Sequence, residues 1–299
     1  MLTRRELSLL GLATLVGCQD DGDGAGPDPL GGSTADASTS AKLPLDEGIL
    51  LPPPRTFDPN PLGLPAVEPV PMKKGQRIFA APPRMVERAK LGSSFLLAMA
   101  TFLAMEGNDY VIRVGFGEPY QVHPGYVVVP RPGRFRRGAI VIAGYRDQLH
   151  HGVVTGLRRD RVMVQYTDLG FRLGDQRLAP ERIGVLSGGL EPGAYAAYRA
   201  DQEYRHVQLV SSGQHRDGKK LWLAIEHEGQ IRLIDEAQLV ALPRPRFNPK
   251  NGSAVLAAWR GAMVRATVRD LERPGLYTVK RPRSGSPLLV GPDMMMPAT

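Results

Sequence analysis

The sequence predicts an all-β protein of four small tandem barrels behind an unstructured N-terminal stretch. Three observations lead there. First, Gly138 to Leu186 is a run of short apolar segments parted by polar turns, and Val162, Val164 and Tyr166 alternate with the period of a half-buried strand. Second, that pattern returns. Gly75 opens GQRIFAAP, Gly138 opens GAIVIAGY, Gly193 opens GAYAAYRA and Gly252 opens GSAVLAAW, about 63, 55 and 59 residues apart, a repeat-array period. Third, residues 19–72 are dominated by Asp, Gly, Ser, Thr and Pro with no apolar period, so they cannot bury enough surface to offset their ordering entropy.

Residues 1–18 read as a lipoprotein signal peptide. Arg4 and Arg5 form a basic start, and Leu7 to Val16 is an apolar core too short to span a bilayer. Leu15-Val16-Gly17-Cys18 resembles a bacterial lipobox, which would make Cys18 the site of lipidation and place the protein in the cell envelope, lipid-anchored and extracytoplasmic. Cys18 is the only cysteine, so no disulfide forms within the chain. Residues 19–72 read as a tether, flexible and acidic first, then proline-rich and stiffer from Pro52 to Pro71.

The four repeats are placed at 73–133, 134–190, 191–246 and 247–299. In the second, strands are expected at Ile140 to Ala143, Val153 to Leu157 and Val162 to Tyr166, with Gly144 to Leu149 as a polar loop. Hairpin turns fall at Glu106 to Asp109, Arg158 to Arg161, His215 to Lys220 and Arg269 to Gly275. The first repeat is the most divergent. Its apolar run Phe95 to Met105 is a strand by repeat register, although Ala, Leu and Met favour helix, and Met85 to Lys90 is also compatible with helix.

The second repeat resembles the Tudor domain, a member of the SH3-like barrel superfamily. The residues that carry the resemblance are Gly138, Val141, Ala143, Tyr145, Gly152 to Val154, Val162, Val164, Tyr166, Asp168, Gly170 and Leu178. The third repeat is similar at Gly193, Ala197, Tyr198, Tyr204, Ile225 and Gly229, and the fourth at Gly252, Ala258, Trp259 and Tyr277. The implied fold is all-β, tandem small SH3-like (Tudor-like) barrels after a disordered N-terminal tether. The resemblance also implies ligand-binding barrel ends. Tyr145, Tyr166 and Phe171 would crowd one end beside Asp168, with Tyr198 and Tyr204 in similar places in the third repeat and Trp259 in the fourth. Aromatic faces and a carboxylate suit a cation. Leu169 stands where many Tudor domains carry an aromatic, and the same side chains could instead close the barrel ends.

Charge divides the chain. Residues 19–72 hold nine acidic and two basic side chains, whereas 73–299 hold 34 basic and 20 acidic. Such a basic array prefers polyanions. Arg134, Arg136 and Arg137 lie in one linker and Arg158, Arg159 and Arg161 on one hairpin tip, where they would also serve plain solubilisation. No Ser sits in a Gly-x-Ser-x-Gly turn, and none of the six histidines has metal-ligand spacing; His150 and His151 are adjacent but point to opposite strand faces. Asp168 and Asp175 read as turn residues. No metal and no cofactor are expected. The expected function is non-enzymatic: a membrane-anchored binding or scaffold protein of the envelope that holds a peptide, glycan or modified side chain. The alternative is a basic adhesin for anionic envelope polymers or nucleic acid, of which nucleic acid is the less favoured partner.

Overall fold

The computed structural model describes residues 53–92, 94–169, 171–282 and 286–298. The segment expected to be a signal peptide, Cys18, the acidic part of the expected tether and Gly170 therefore lie outside the described residues. The described residues belong to one compact unit.

The chain is mostly β, as its alternating apolar runs require. The first repeat holds β1 (Arg77–Ala80), β2 (Ala98–Glu106), β3 (Asp109–Val114), β4 (Tyr120–Val122) and β5 (Val127–Val128). The second holds β6 (Ile140–Tyr145), β7 (Gln148–Arg158), β8 (Arg161–Tyr166), β9 (Gln176–Leu178) and β10 (Ile183–Val185). The third holds β11 (Tyr195–Ala200), β12 (Glu203–Gln214), β13 (Lys220–Ile225), β14 (Ile231–Asp235) and β15 (Leu239–Ala241). The fourth holds β16 (Ala254–Trp259), β17 (Ala262–Arg273), β18 (Leu276–Lys280), β19 (Leu288–Val290) and β20 (Met295–Pro297). The ambiguous apolar run is thus a strand, β2, and the helix before it is α1 (Pro83–Ala89).

All four units pair alike and antiparallel: the first strand lies between the second and the fifth, the second pairs with the third, and the third with the fourth. The second strand is the longest in each unit and carries a bulge at the same place, after Phe102, Val154, Leu209 and Val268. A bulge bends a strand, and that bend lets one strand serve two sides of a small core. One turn of 3-10 helix precedes each fifth strand, at Pro124–Tyr126, Pro180–Arg182, Glu236–Gln238 and Pro292–Met294.

Four separate closed barrels are not what the ladders form. No ladder joins the fourth and fifth strands of a unit among the described residues, and the second strands of two units pair with each other. Ala98 pairs with Gln148 across β2 and β7, and Arg205 with Ala262 across β12 and β17. The result is two ten-stranded antiparallel sheets, one spanning the first two units and one the last two.

Three boundaries move. Gly144 to Leu149 is not a polar loop but strand, turn and strand, because Arg146 and Asp147 both take positive φ (46° and 62°) and close a two-residue hairpin. The last hairpin turn is confined to Pro274 and Gly275, with strand up to Arg273. The proline-rich stretch, expected to be a spacer, lies on the first unit from residue 53. Leu64 is buried in that unit's core, Phe57 sits 5.3 Å from Tyr120, and the Leu62 and Val70 amides donate to the hydroxyls of Tyr126 (3.0 Å) and Tyr110 (2.7 Å).

The units do not form a row. Val210, Leu223 and Ile225 of the third unit and Leu149 of the second complete the core of the first. Ala197 and Leu242 of the third complete that of the fourth. The second and fourth units touch directly: Gly138 meets the Pro274–Gly275 turn, Arg273 Nη1 lies 2.7 Å from Asp175 Oδ2, and Arg172 pairs with Glu272. Asp175 is therefore an interface group rather than a turn residue alone.

Candidate functional site

Where the second, third and fourth units meet, their strands deliver a cluster of polar and aromatic side chains. β7 supplies His150 and His151. Because adjacent strand residues point to opposite faces, the two rings serve different neighbours. His150 turns toward its own unit's aromatic end, 6.0 Å from the Tyr145 ring and 6.1 Å from that of Tyr166. His151 turns away, fully buried, toward the other two units.

Asp168, just beyond β8, ties the two together. Its carboxylate accepts from His150 Nδ1 (3.1 Å), the His151 amide (2.9 Å) and the Tyr195 hydroxyl (2.9 Å). Burial raises the Asp168 pKa, but the His150 hydrogen bond, the electrostatic influence of the two imidazoles and the His151 amide outweigh it and hold the carboxyl below its usual 3.8. The same environment pushes the Tyr195 hydroxyl well above 10, through burial first and the adjacent Asp168 charge second.

His151 Nδ1 donates to Asp293 Oδ2 at 2.7 Å, and its Nε2 meets Gln208 Nε2 at 3.3 Å. Those partners place the ring proton on Nδ1, with Gln208 donating to Nε2. The Tyr195 ring lies between two imidazoles, stacked on His151 at 3.6 Å and tilted against His206 at 4.2 Å. Burial pushes the His206 pKa down to about 4, so the ring is neutral at pH 7, and its Nε2 is buried without a hydrogen-bond partner among the described residues. Asp293 Oδ1 is likewise unpartnered, and a side chain at Gly291 would collide with it.

Two clefts flank this cluster, and Asp168, Tyr195, His206, His227 and Gly261 line both. The smaller, about 430 Å³, has Phe95, Leu97 and Leu149 on its apolar side. The larger, about 550 Å³, is walled by Tyr166, Phe171, Trp259, Arg260, Glu272 and Leu288. Among the described residues, no group of three or more His, Cys, Asp or Glu is placed to hold a metal.

The residues expected to form barrel-end sites divide. Tyr166, Asp168, Phe171 and Trp259 share the larger cleft, although they come from two units. Tyr145 and Tyr166 do meet, with ring centres 5.5 Å apart, but Tyr166 is core: it is 2% exposed and its hydroxyl donates to the Gly144 carbonyl at 2.9 Å. Phe171 is 52% exposed on the cleft wall. Tyr198 and Tyr204 do not stand where Tyr145 does. Tyr145 and Trp259 are the last residues before their two-residue hairpins, and Ala200 holds that place in the third unit. Tyr198 bonds Glu226, and Tyr204 packs on the fourth unit's core. The Trp259 ring already has a cation over it, the Arg281 guanidinium at 3.7 Å, with Arg260 at 5.3 Å. Arg134, Arg136, Arg137, Arg158, Arg159 and Arg161 are all exposed, on the second unit and the linker before it.

Reading the sequence missed Tyr195, His206, Gln208 and Asp293 as site residues. The His150-His151 pair is the available signal, and in the sequence it does not read as one site because the two rings face opposite ways. That geometry is what lets one dipeptide join two surfaces. Compared with protein-family models and with the curated proteins, the chain matches none.

Proposed function

We propose that this is a non-enzymatic, lipid-anchored binding or scaffold protein of the bacterial cell envelope, built of four divergent SH3-like, Tudor-like barrels. Its ligand, a peptide, glycan or modified side chain, sits in the cleft shared by the second, third and fourth units rather than on each barrel end. The observation that carries this reading is the 550 Å³ cleft, within the size range of ligand pockets, with Phe171 exposed on its wall and charged groups Arg172, Arg260 and Glu272 around it. The barrel reading is supported by the strand order common to all four units. Lipidation is supported by Leu15-Val16-Gly17-Cys18. Binding is favoured over catalysis because the best-placed carboxylate, Asp168, is ionised at neutral pH and its three hydrogen bonds are committed to structure, two within the second unit and one to Tyr195 of the third.

The test is retention of the chain on isolated envelope fractions at low and high salt, with a Phe171→Ala, Arg260→Ala variant alongside. Retention that survives high salt and falls about tenfold in the variant supports a specific cleft. Unchanged retention in the variant rejects it. In detergent phase partitioning, where no bilayer is present, Cys18→Ala should move the protein from the detergent phase to the aqueous one.

A further inference from the structure

We propose that the arginine-rich end of the second unit docks on the headgroups of an anionic bilayer. The β7–β8 hairpin carries three of these arginines. Arg158 pairs with Arg161 across its end, and Arg159 sits at the tip with φ of 41°, so the tip is a short, defined turn rather than a trailing loop. Its four turn residues are three arginines and one acid, Asp160, whose carboxylate lies 3.3 Å from Arg161 Nε. Leu157, immediately before them, is 50% exposed.

The linker adds charge to the same unit. Phe135 packs against the core cluster that contains Val154 and Val162, which ties the segment bearing the exposed Arg134, Arg136 and Arg137 to that unit. The Gly138 amide donates to the Val154 carbonyl at 2.8 Å, fixing the linker's exit on the same strand. Arg177, opposite Met163 on the neighbouring strand, is exposed as well. Three arginines therefore follow an exposed leucine at the tip of a rigid hairpin, and four more exposed arginines, Arg134, Arg136, Arg137 and Arg177, add positive charge to the same unit.

That combination selects the partner. A soluble polyanion offers cations their counter-charges but nothing to an exposed leucine. A bilayer interface offers both, with phosphates at headgroup level and an apolar boundary just beneath. Each arginine near an anionic surface strengthens binding about fivefold. The inference stands apart from the cleft: it concerns a different face and needs no lipid on Cys18.

The experiment is flotation of the full chain carrying Cys18→Ala with vesicles of phosphatidylcholine alone or with added phosphatidylglycerol. The expected result is binding to the anionic vesicles only. Replacing Arg158, Arg159 and Arg161 together by Ser should weaken it about a hundredfold, and Leu157→Ser should weaken it about fivefold. All four positions are exposed, so thermal unfolding should be unchanged, which separates lost docking from lost fold. Equal binding to both vesicle types overturns the proposal, as does anionic binding indifferent to the triple replacement. Binding that ignores Leu157→Ser and is competed off by polyphosphate overturns it in favour of a polymer site.

Discussion

His151 Nδ1 stands 2.7 Å from Asp293 Oδ2, two side chains 142 positions apart in sequence and both closed off from solvent. The pair fastens the second unit to the fourth. Removing one partner leaves the other polar group buried and unanswered, which is far costlier than losing an exposed bond. Asp293→Ala should lower unfolding free energy by about 3 kcal/mol, read as a shift of the urea midpoint. A midpoint within error of the parent would show that this pair does not hold the units together.

Acid should act first at His206. Its unfolded ring takes up a proton near pH 6.5, but the folded ring does so only near 4. Between those values the unfolded state binds more protons, so stability is complete above pH 6.5 and falls as the pH is lowered toward 4. The loss across that window is roughly 3 kcal/mol. Asp168, held below 3.8, contributes its own loss only at lower pH. Urea unfolding at pH 7 and pH 5 should show the drop in the parent and a flatter profile in His206→Gln. Parallel profiles for the two chains contradict the assignment.

Tyr166 and Phe171 line one cleft but should behave oppositely. Tyr166→Ala empties a core position and costs about 3–5 kcal/mol. Phe171 is half in solvent, and Phe171→Ala should stay within about 0.5 kcal/mol of the parent while weakening envelope retention. Thermal unfolding of each, followed by the retention assay, separates core from site. A strongly destabilised Phe171→Ala chain would make that ring part of the fold.

Starting the chain at Lys73 should cost stability that starting it at Leu50 does not. The shorter chain uncovers the pocket filled by Leu64 and removes two amides from the hydroxyls of Tyr110 and Tyr126. Losing a buried leucine side chain alone costs about 2 kcal/mol or more. Urea midpoints that coincide for the two chains would mean that residues 53–72 lie on the first unit without stabilising it.

Much of the strand pattern was legible because it rests on local signals. Val162, Val164 and Tyr166 alternate, and the glycine before each first strand repeats. Those signals found the apolar strand at β2 against its helical composition, because the repeat outweighed the propensity of Ala, Leu and Met. Other features gave no local signal. Arg146 and Asp147 hold a tight turn without glycine or asparagine, so composition read them as a loop. The apolar residues of the proline-rich stretch follow no period, because they meet scattered partners: Phe57 packs on Tyr120, Leu64 enters the first unit's core and Pro65 lies against Gly213 of the third unit. The cleft needed long-range knowledge. Phe171 and Trp259 were singled out as separate sites, and only the packing of the second unit on the fourth brings them together.

That packing decides how the chain can change. In a linear array each repeat meets only its sequence neighbours, so copies can be gained or lost with little penalty. Here Ile225 fills the first unit's core from the third, and Asp293 answers His151 from the fourth to the second. Deleting any unit would strand partners in units that are not adjacent to it in sequence. The molecule is repetitive in its strands but indivisible in its stability, and should unfold in one step.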